Sequence, residues 1–424
     1  MNKIILTIFI VITGCNMNNS RLEEPKANKI DKVLSIHGDD RVDEYYWLSN
    51  RGDSNVIDYL NSENQYRDDF MKDYKTLEND IFKEIKSRIK EDDSSVPYFD
   101  NGYFYYTRYE KDKQYPIYCR KKESLNSEEE ILIDANTMSE GHEYFSVGDI
   151  EISPNNKFMA YSVDTVSRRI YTIYFMNLET RKISQKSIPN TSGSITWAND
   201  NQTVFYNLKD LKTLRTERVM KYNFNVKGSE KEIYYEADET FSVYSYKTKS
   251  DKYIVIGSSA TLSQEYRYID ANKPDGKIIL FDKRIDDLEY SISHFGDRWY
   301  IVTNKDKAIN FKLMVCKEGE TNSKNWVDFI PHRDDTLLEG IDIFKDFLVV
   351  TERSNGLRKI QIKPWNNNKS HYIKFDEEVY SLYSSTNIQM NTNKFRYSYS
   401  SMTTPNSVIE YDMITRDSLI LKVL

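Results

Sequence analysis

The spacing of apolar and polar positions divides the chain into stretches of different period. Near the start, Lys3 precedes an almost unbroken apolar run from Ile4 to Ile12, closed by Thr13, Gly14 and Cys15. A run so far below the roughly 20 residues that span a bilayer reads as the core of a signal peptide. From Asp53 to Lys90 the apolar positions are Tyr59, Leu60, Tyr66, Phe70, Tyr74, Leu77, Ile81, Ile85 and Ile89, separated mostly by three and four. That is helical periodicity, with N-caps available at Asp53, Ser54 and Asn55 and a stop at Asp92, Asp93, Ser94, Ser95 and Pro97. One amphipathic helix, or two in line, is predicted, and its apolar stripe needs a packing partner.

After Pro97 the helical period disappears and short strand-like runs continue to the C-terminus. A turn of Asn, Asp or Gly followed by a strand of apolar and aromatic residues recurs seven times. The copies are NGYFYYT from Asn101, NNKFMAYS from Asn155, DNQTVFYN from Asp200, SDKYIVIGS from Ser250, GDRWYIVTN from Gly296, KDFLVVTE from Lys345 and TNKFRYSYS from Thr392. They lie roughly 45 to 55 residues apart, close to the about 40 to 50 residues of a four-stranded propeller blade. Further turns such as Asn177-Leu178-Glu179-Thr180 and Tyr411-Asp412-Met413-Ile414-Thr415 fit hairpins in the outer half of a blade. The expectation is an all-β fold, a seven-bladed β-propeller preceded by an N-terminal α-helical segment. A large β-sandwich with coincidental spacing is the alternative.

Composition supports a globular protein: 29% of residues are charged and 39% hydrophobic. Aromatic residues make up 13%, with 33 Tyr, a bias that suits the half-buried face of a strand. A net charge of −7 without a basic cluster excludes nucleic acid as the expected partner. Cys119 and Cys316 fall in strand-like segments and read as small buried hydrophobes, with a disulfide as the less favoured reading. Residues 16–29 are polar and include Pro25, as in a tether.

The segment Ile12-Thr13-Gly14-Cys15 resembles the lipobox of bacterial lipoproteins. It implies acylation of Cys15 and cleavage just before it, giving an exported, membrane-anchored lipoprotein that faces the periplasm or the cell surface. The alternative is an ordinary signal peptide that contains a cysteine. The plan is a lipoprotein signal peptide over 1–15, a flexible tether over 16–29, a helical N-terminal segment over 30–95 and the propeller over 96–424.

Catalytic motifs are absent where spacing can decide. No two of the 14 glycines are closer than Gly141 and Gly148. That spacing rules out a G-x-S-x-G nucleophile elbow, a G-x-G-x-x-G fingerprint and a Walker A loop in these residues. His142-Glu143 continues into Tyr144, Phe145 and Ser146 and reads as a solvated turn, not a zinc site. The pairs Asp39-Asp40, Asp92-Asp93, Asp286-Asp287 and Asp334-Asp335 read as turn residues. No cofactor and no metal are expected. A Ser-His-Asp triad assembled from distant positions is defined by geometry and stays open.

One group of landmarks is more specific. His37-Gly38-Asp39-Asp40-Arg41-Val42-Asp43-Glu44-Tyr45-Tyr46-Trp47-Leu48, then Tyr59-Leu60 and Glu63-Asn64, resemble the N-terminal segment of the prolyl oligopeptidase family of serine peptidases, above all its oligopeptidase B branch. The likeness continues through Asn101-Gly102-Tyr103, Leu132-Ile133-Asp134-Ala135-Asn136, Ile152-Ser153-Pro154, Trp197-Ala198-Asn199-Asp200 and Leu338-Glu339-Gly340. It ends in Tyr399-Ser400-Ser401-Met402-Thr403-Thr404-Pro405. The resemblance implies a seven-bladed propeller that covers the active site of an α/β-hydrolase domain and admits short peptides. In that family Ser, Asp and His follow the propeller, so no catalytic residue carries over to these positions, and the chain on its own is expected to be inactive. The resemblance also supplies a partner for the helix, because the N-terminal segment packs on the hydrolase domain. Three functions follow: the propeller part of a serine-type endopeptidase whose hydrolase domain is encoded separately or was lost through a stop codon or frameshift, a stand-alone lipoprotein propeller that binds peptides or a surface protein, and a non-functional remnant.

Overall fold

A computed structural model describes residues 23–366 and 369–424. Cys15, the signal peptide and the first part of the tether lie outside the described residues. The chain divides into two compact units, 1–90 and 91–424.

In the first unit, strands Lys32–Ile36 and Asp39–Asp43 form a hairpin in the register Ile36↔Asp39. His37 and Gly38 form its two-residue turn with φ of 55° and 79°, the left-handed pair that matches strand twist. The sequence pattern gave no sign of this hairpin, since DDRVD does not alternate. Helix α1 (Ser54–Met71) is capped by Asp53, whose side chain accepts from the Asn55 N–H. A single 3-10 turn, Lys72–Tyr74, leads into α2 (Lys75–Ser87). The predicted pair of helices in line is therefore present. The apolar stripe is open to solvent: Phe70, Tyr74, Leu77, Ile81, Phe82, Ile85 and Ile89 are all exposed.

The second unit is a propeller built of antiparallel sheets. Five are four-stranded blades, over 98–134, 242–280, 290–330, 336–372 and 380–423, and one is a seven-stranded sheet over 146–235. This corrects the expectation of seven blades. The second and third repeat copies belong to one continuous ladder, because strand Ile188–Trp197 has two roles. Its first half pairs with the preceding hairpin through Ile188↔Ile173 and Thr191↔Tyr171. Its second half pairs onward through Ile195↔Tyr206 and Trp197↔Val204. The change of register falls between Thr191 and Ile195, where Gly193 takes φ of 97° and lets the strand bend without breaking. Residues near Ile183 then make only an isolated bridge to Met176 and contribute no separate outer strand.

Each repeat copy is a turn plus the strand that follows it: Tyr103–Arg108, Phe158–Asp164, Thr203–Lys209, Tyr253–Ser259, Arg298–Thr303, Phe347–Ser354 and Lys394–Ser401, the second strand of its sheet in every case but Thr203–Lys209, which is the fifth strand of the seven-stranded sheet. Asn156, Asn201, Asp251 and Gly296 occupy these turns at positive φ, which explains the preference for Asn, Asp and Gly there. These strands are mostly apolar where both faces pack against neighbouring sheets, as in Phe158–Asp164 and Tyr253–Ser259, whereas Lys394–Ser401 alternates buried Phe395, Tyr397 and Tyr399 with less buried polar residues. Met159, Ala160, Val204, Phe205, Ile254, Val255, Ile256, Leu348, Val349 and Val350 are fully buried. Cys119 and Cys316 are buried and unpaired.

Candidate functional site

Three hydrogen bonds tie successive turns together from the first blade to blade 242–280. Asn101 Nδ2 donates to the Pro154 carbonyl at 2.7 Å, the Asn155 N–H donates to Asn201 Oδ1 at 2.7 Å, and Asn199 Nδ2 donates to the Asp251 carbonyl at 2.8 Å. The seam between the last blade and the first is made by side chains: Arg396 Nη1 donates to the Pro97 carbonyl at 2.6 Å, and Lys422 Nζ reaches Asp93 and the Ser94 carbonyl.

First strands carry charges that meet from sheets that are not neighbours, and such groups lie at the propeller axis. Lys249 follows the first strand of blade 242–280 and lies 4.0 Å from Asp342 of blade 336–372, skipping the blade between them. Its Nζ is buried without a hydrogen bond and sits 3.8 Å from the Phe344 ring centre. Burial pushes the Lys249 amine down to about 8, partly offset by Asp342. Lys247 donates to Asn199 Oδ1 at 3.1 Å and lies 3.9 Å from Asp251; burial lowers its amine while Asp251, Glu151 and Asp100 hold it up. Burial, with Asp149 and Asp100 nearby, raises the Glu151 carboxyl to about 8. Asp149 is held by the Ile195 and Ile150 N–H groups.

Glu151 and Asp100 border a cavity of about 380 Å³ between the first blade and the seven-stranded sheet. Its other walls include Tyr98, Tyr105, Tyr106 and Tyr118. Tyr98 and Tyr105 stack with ring centres 5.6 Å apart.

Among the described residues, Ser250, His294 and Glu318 form a chain of the residue types that the sequence left open. Ser250 Oγ lies 2.8 Å from His294 Nδ1, and His294 Nε2 lies 2.5 Å from Glu318 Oε1. This chain joins blade 242–280 to blade 290–330 and works as a clamp. His294 is 3% exposed, flanked by Tyr253 and Trp299 with ring centres at 5.0 Å, and Glu318 is shared with Lys252 at 2.5 Å. Ser250 Oγ also lies 3.0 Å from Thr248 Oγ1, so the hydroxyl, the imidazole and the carboxylate are all engaged in contacts that hold the two blades together.

Other singled-out residues are structural. His142 and Glu143 are exposed in a turn. Asp134 accepts from the Asn136 and Thr137 N–H groups, and Asp200 from those of Gln202 and Thr203. Glu339 binds both Arg353 and Arg358. In the final landmark, Ser401, Thr403, Tyr399 and Thr404 donate hydroxyls to Glu377 and hold its carboxyl down to about 2. The axial charges went unnoticed in the sequence because no motif marks them. Their one signal is an acid or base within a first strand.

Residues 25–423 match the sequence profile of the prolyl oligopeptidase N-terminal beta-propeller domain. The chain belongs to the prolyl oligopeptidase family. It is 37% identical to dipeptidyl aminopeptidase BI of Pseudoxanthomonas mexicana over 414 residues, covering 93% of this chain and 57% of that protein. Against protease 2 of Moraxella lacunata it is 30% identical over 410 residues, covering 94% and 58%. The solved structure of oligopeptidase B from Leishmania major superimposes with a TM-score of 0.88 at 27% identity, covering 95% of this chain and 60% of that one. The prolyl oligopeptidase propeller described here thus spans less than two thirds of the length of these relatives.

Proposed function

We propose that this propeller gates short peptides into the active site of a serine-type endopeptidase of the oligopeptidase B kind, acting with an α/β-hydrolase domain that supplies Ser, Asp and His. The observation that carries this reading is the match to the family's propeller domain along residues 25–423. The exposed stripe of Leu77, Ile81, Ile85 and Ile89 on and just after α2 supports it, since an apolar face of this extent calls for a covering surface. The experiment combines the chain with a separately produced hydrolase domain of the same family. Alone, the chain is expected not to hydrolyse arginyl or prolyl reporters. Together, the two are expected to cleave short reporters while sparing casein, and Ile81→Asp is expected to weaken restored turnover by at least about tenfold, a change of about 1.4 kcal/mol. Inhibitor-sensitive turnover by the chain alone would overturn the reading. Peptide binding without any restored turnover would favour the stand-alone lipoprotein.

We further propose that Cys15 is acylated and anchors the protein to a bacterial membrane. Cells fed radiolabelled palmitate are expected to label the wild-type chain and not Cys15→Ser; equal labelling of both would refute the anchor.

A further inference from the structure

The chain of Ser250, His294 and Glu318 lets the imidazole hold or release a proton without stranding a polar atom. Burial opposes ionisation of Glu318, but Lys252 and His294 outweigh it and keep the carboxyl below its ordinary range, so it only accepts. His294 Nε2 therefore carries a hydrogen in both states and donates to Glu318 Oε1 at 2.5 Å. Nδ1 faces Ser250 Oγ at 2.8 Å. When the imidazole is neutral, Ser250 donates to Nδ1. When it is charged, the Nδ1 hydrogen goes to Ser250, and the hydroxyl hydrogen needs another acceptor. Thr248 Oγ1, 3.0 Å from Ser250 Oγ, is that acceptor, and its own hydrogen goes to the Tyr253 carbonyl at 3.2 Å. One hydroxyl rotation thus serves both charge states.

The imidazole is buried, but its partners are not sealed off. The Glu318 and Lys252 side chains are 26% and 42% exposed, so solvent reaches the edge of the site through them. The charged groups that act on His294 are Glu318 and Asp297, which favour its charged form, and Lys252, which opposes it. Asp297 is exposed in the turn beside Arg298, where water weakens its influence. Tyr253 against the ring, and Tyr268 and Cys316 in the same core cluster, stay neutral, because burial raises all three. Burial outweighs the carboxylates and holds the imidazole below its ordinary value.

We propose that Thr248, Ser250, His294 and Glu318 form a proton-operated clamp between blades 242–280 and 290–330, tight when His294 is neutral and loosened when it takes up a proton. The charged form sets two cations, His294 and Lys252, on the single carboxylate of Glu318, at a contact where little water screens them. The clamp lies within the propeller and works without a hydrolase domain. A folded-state value below the unfolded one contributes stability that is complete above the ordinary histidine value of about 6.5 and is lost as pH falls from there through the lower value in the fold.

The test follows the imidazole resonances of the full chain in a mild detergent from about pH 7.5 to about pH 5, the interval in which histidine charges. His294→Gln assigns His294 among the five histidines. The wild-type resonance is expected to titrate below about 6.5. Lys252→Met removes a like charge from an exposed position and is expected to raise the proton affinity of His294 at least about threefold. Thr248→Val is expected to lower it, because the charged state then has no acceptor for the Ser250 hydrogen. Urea midpoints of the wild type are expected to fall over the same interval more steeply than those of His294→Gln. His371, which burial also shifts down, is common to both chains and cancels. A His294 resonance that Lys252→Met leaves in place would overturn the proposal, and so would parallel urea slopes for the two chains. If His294→Gln does not fold, nuclear Overhauser contacts to Tyr253 and Trp299 assign the resonance and the Lys252→Met shift decides.

Discussion

Arg284→Met is expected to lower the unfolding free energy by about 3 to 5 kcal/mol, the usual consequence of stranding one member of a buried ion pair. Arg284 links to Glu236, which is 4% exposed at the end of the seven-stranded sheet. Ser258 Oγ and Tyr234 OH donate to the same carboxylate at 2.6 and 2.7 Å. The guanidinium also lies 3.6 Å from the Phe241 ring centre. Glu236 therefore ties blade 242–280 to its neighbour, and the substitution leaves its charge with two hydroxyls and the Asp238 N–H but no cation.

The same node predicts an acid limb. Burial opposes ionisation of Glu236, but Arg284, Ser258 and Tyr234 outweigh it and hold the carboxyl down to about 2. A folded-state value below the unfolded one contributes stability that is complete above the ordinary glutamate value of about 4.3. It is lost as pH falls from there towards 2. Urea midpoints measured across that interval should fall steeply for the wild type and less steeply for Arg284→Met. Parallel slopes would show that Arg284 does not control this carboxyl.

Trp299→Ala is expected to cost about 3 to 5 kcal/mol, in the range of large-to-small changes in a rigid core. Trp299 is fully buried between blades 242–280 and 290–330. Tyr253 and Tyr268 lie with ring centres at 5.1 Å and Phe281 at 5.3 Å, leaving few ways for the site to collapse. The contribution is one of volume and ring contact, because Trp299 Nε1 has no hydrogen-bond acceptor among the described residues. Trp299→Phe is accordingly expected to retain most of the stability, with a loss under about 1.5 kcal/mol. Equal losses for Phe and Ala in urea unfolding would contradict that account.

The two substitutions act at interfaces between sheets, and those interfaces are also where the sequence was partly legible. All seven repeat copies fall on a turn and the strand that follows it; where both faces are buried, as in Tyr253–Ser259, the run is nearly continuous, and in Lys394–Ser401 buried aromatic residues alternate with polar ones. Asp53, the three- and four-residue spacing to Ile89 and the stop after Lys90 describe α1 and α2 because capping and helical period are local. The hairpin at His37-Gly38 escaped notice because its second strand, DDRVD, is exposed and carries no alternation. The clamp of Ser250, His294 and Glu318 was invisible for a different reason. Its members are separated by 44 and 24 residues and meet only when adjacent blades pack.

By itself the sequence determined the strand period, the helical segment, the turn chemistry and the absence of glycine-spaced catalytic motifs, all of which depend on neighbours along the chain. The tertiary structure decided how strands were shared and which charges met. Strand Ile188–Trp197 joins two predicted blades into one sheet because Gly193 permits a bend and Tyr171–Asn177 has an open edge beside it. Asp100 and Glu151 come near Lys247, and Lys249 comes near Asp342, because the ring brings together first strands and turns of sheets that are far apart in sequence. Neither outcome leaves a local mark, since hydrogen-bond ladders and axial charges depend on residues far apart in sequence.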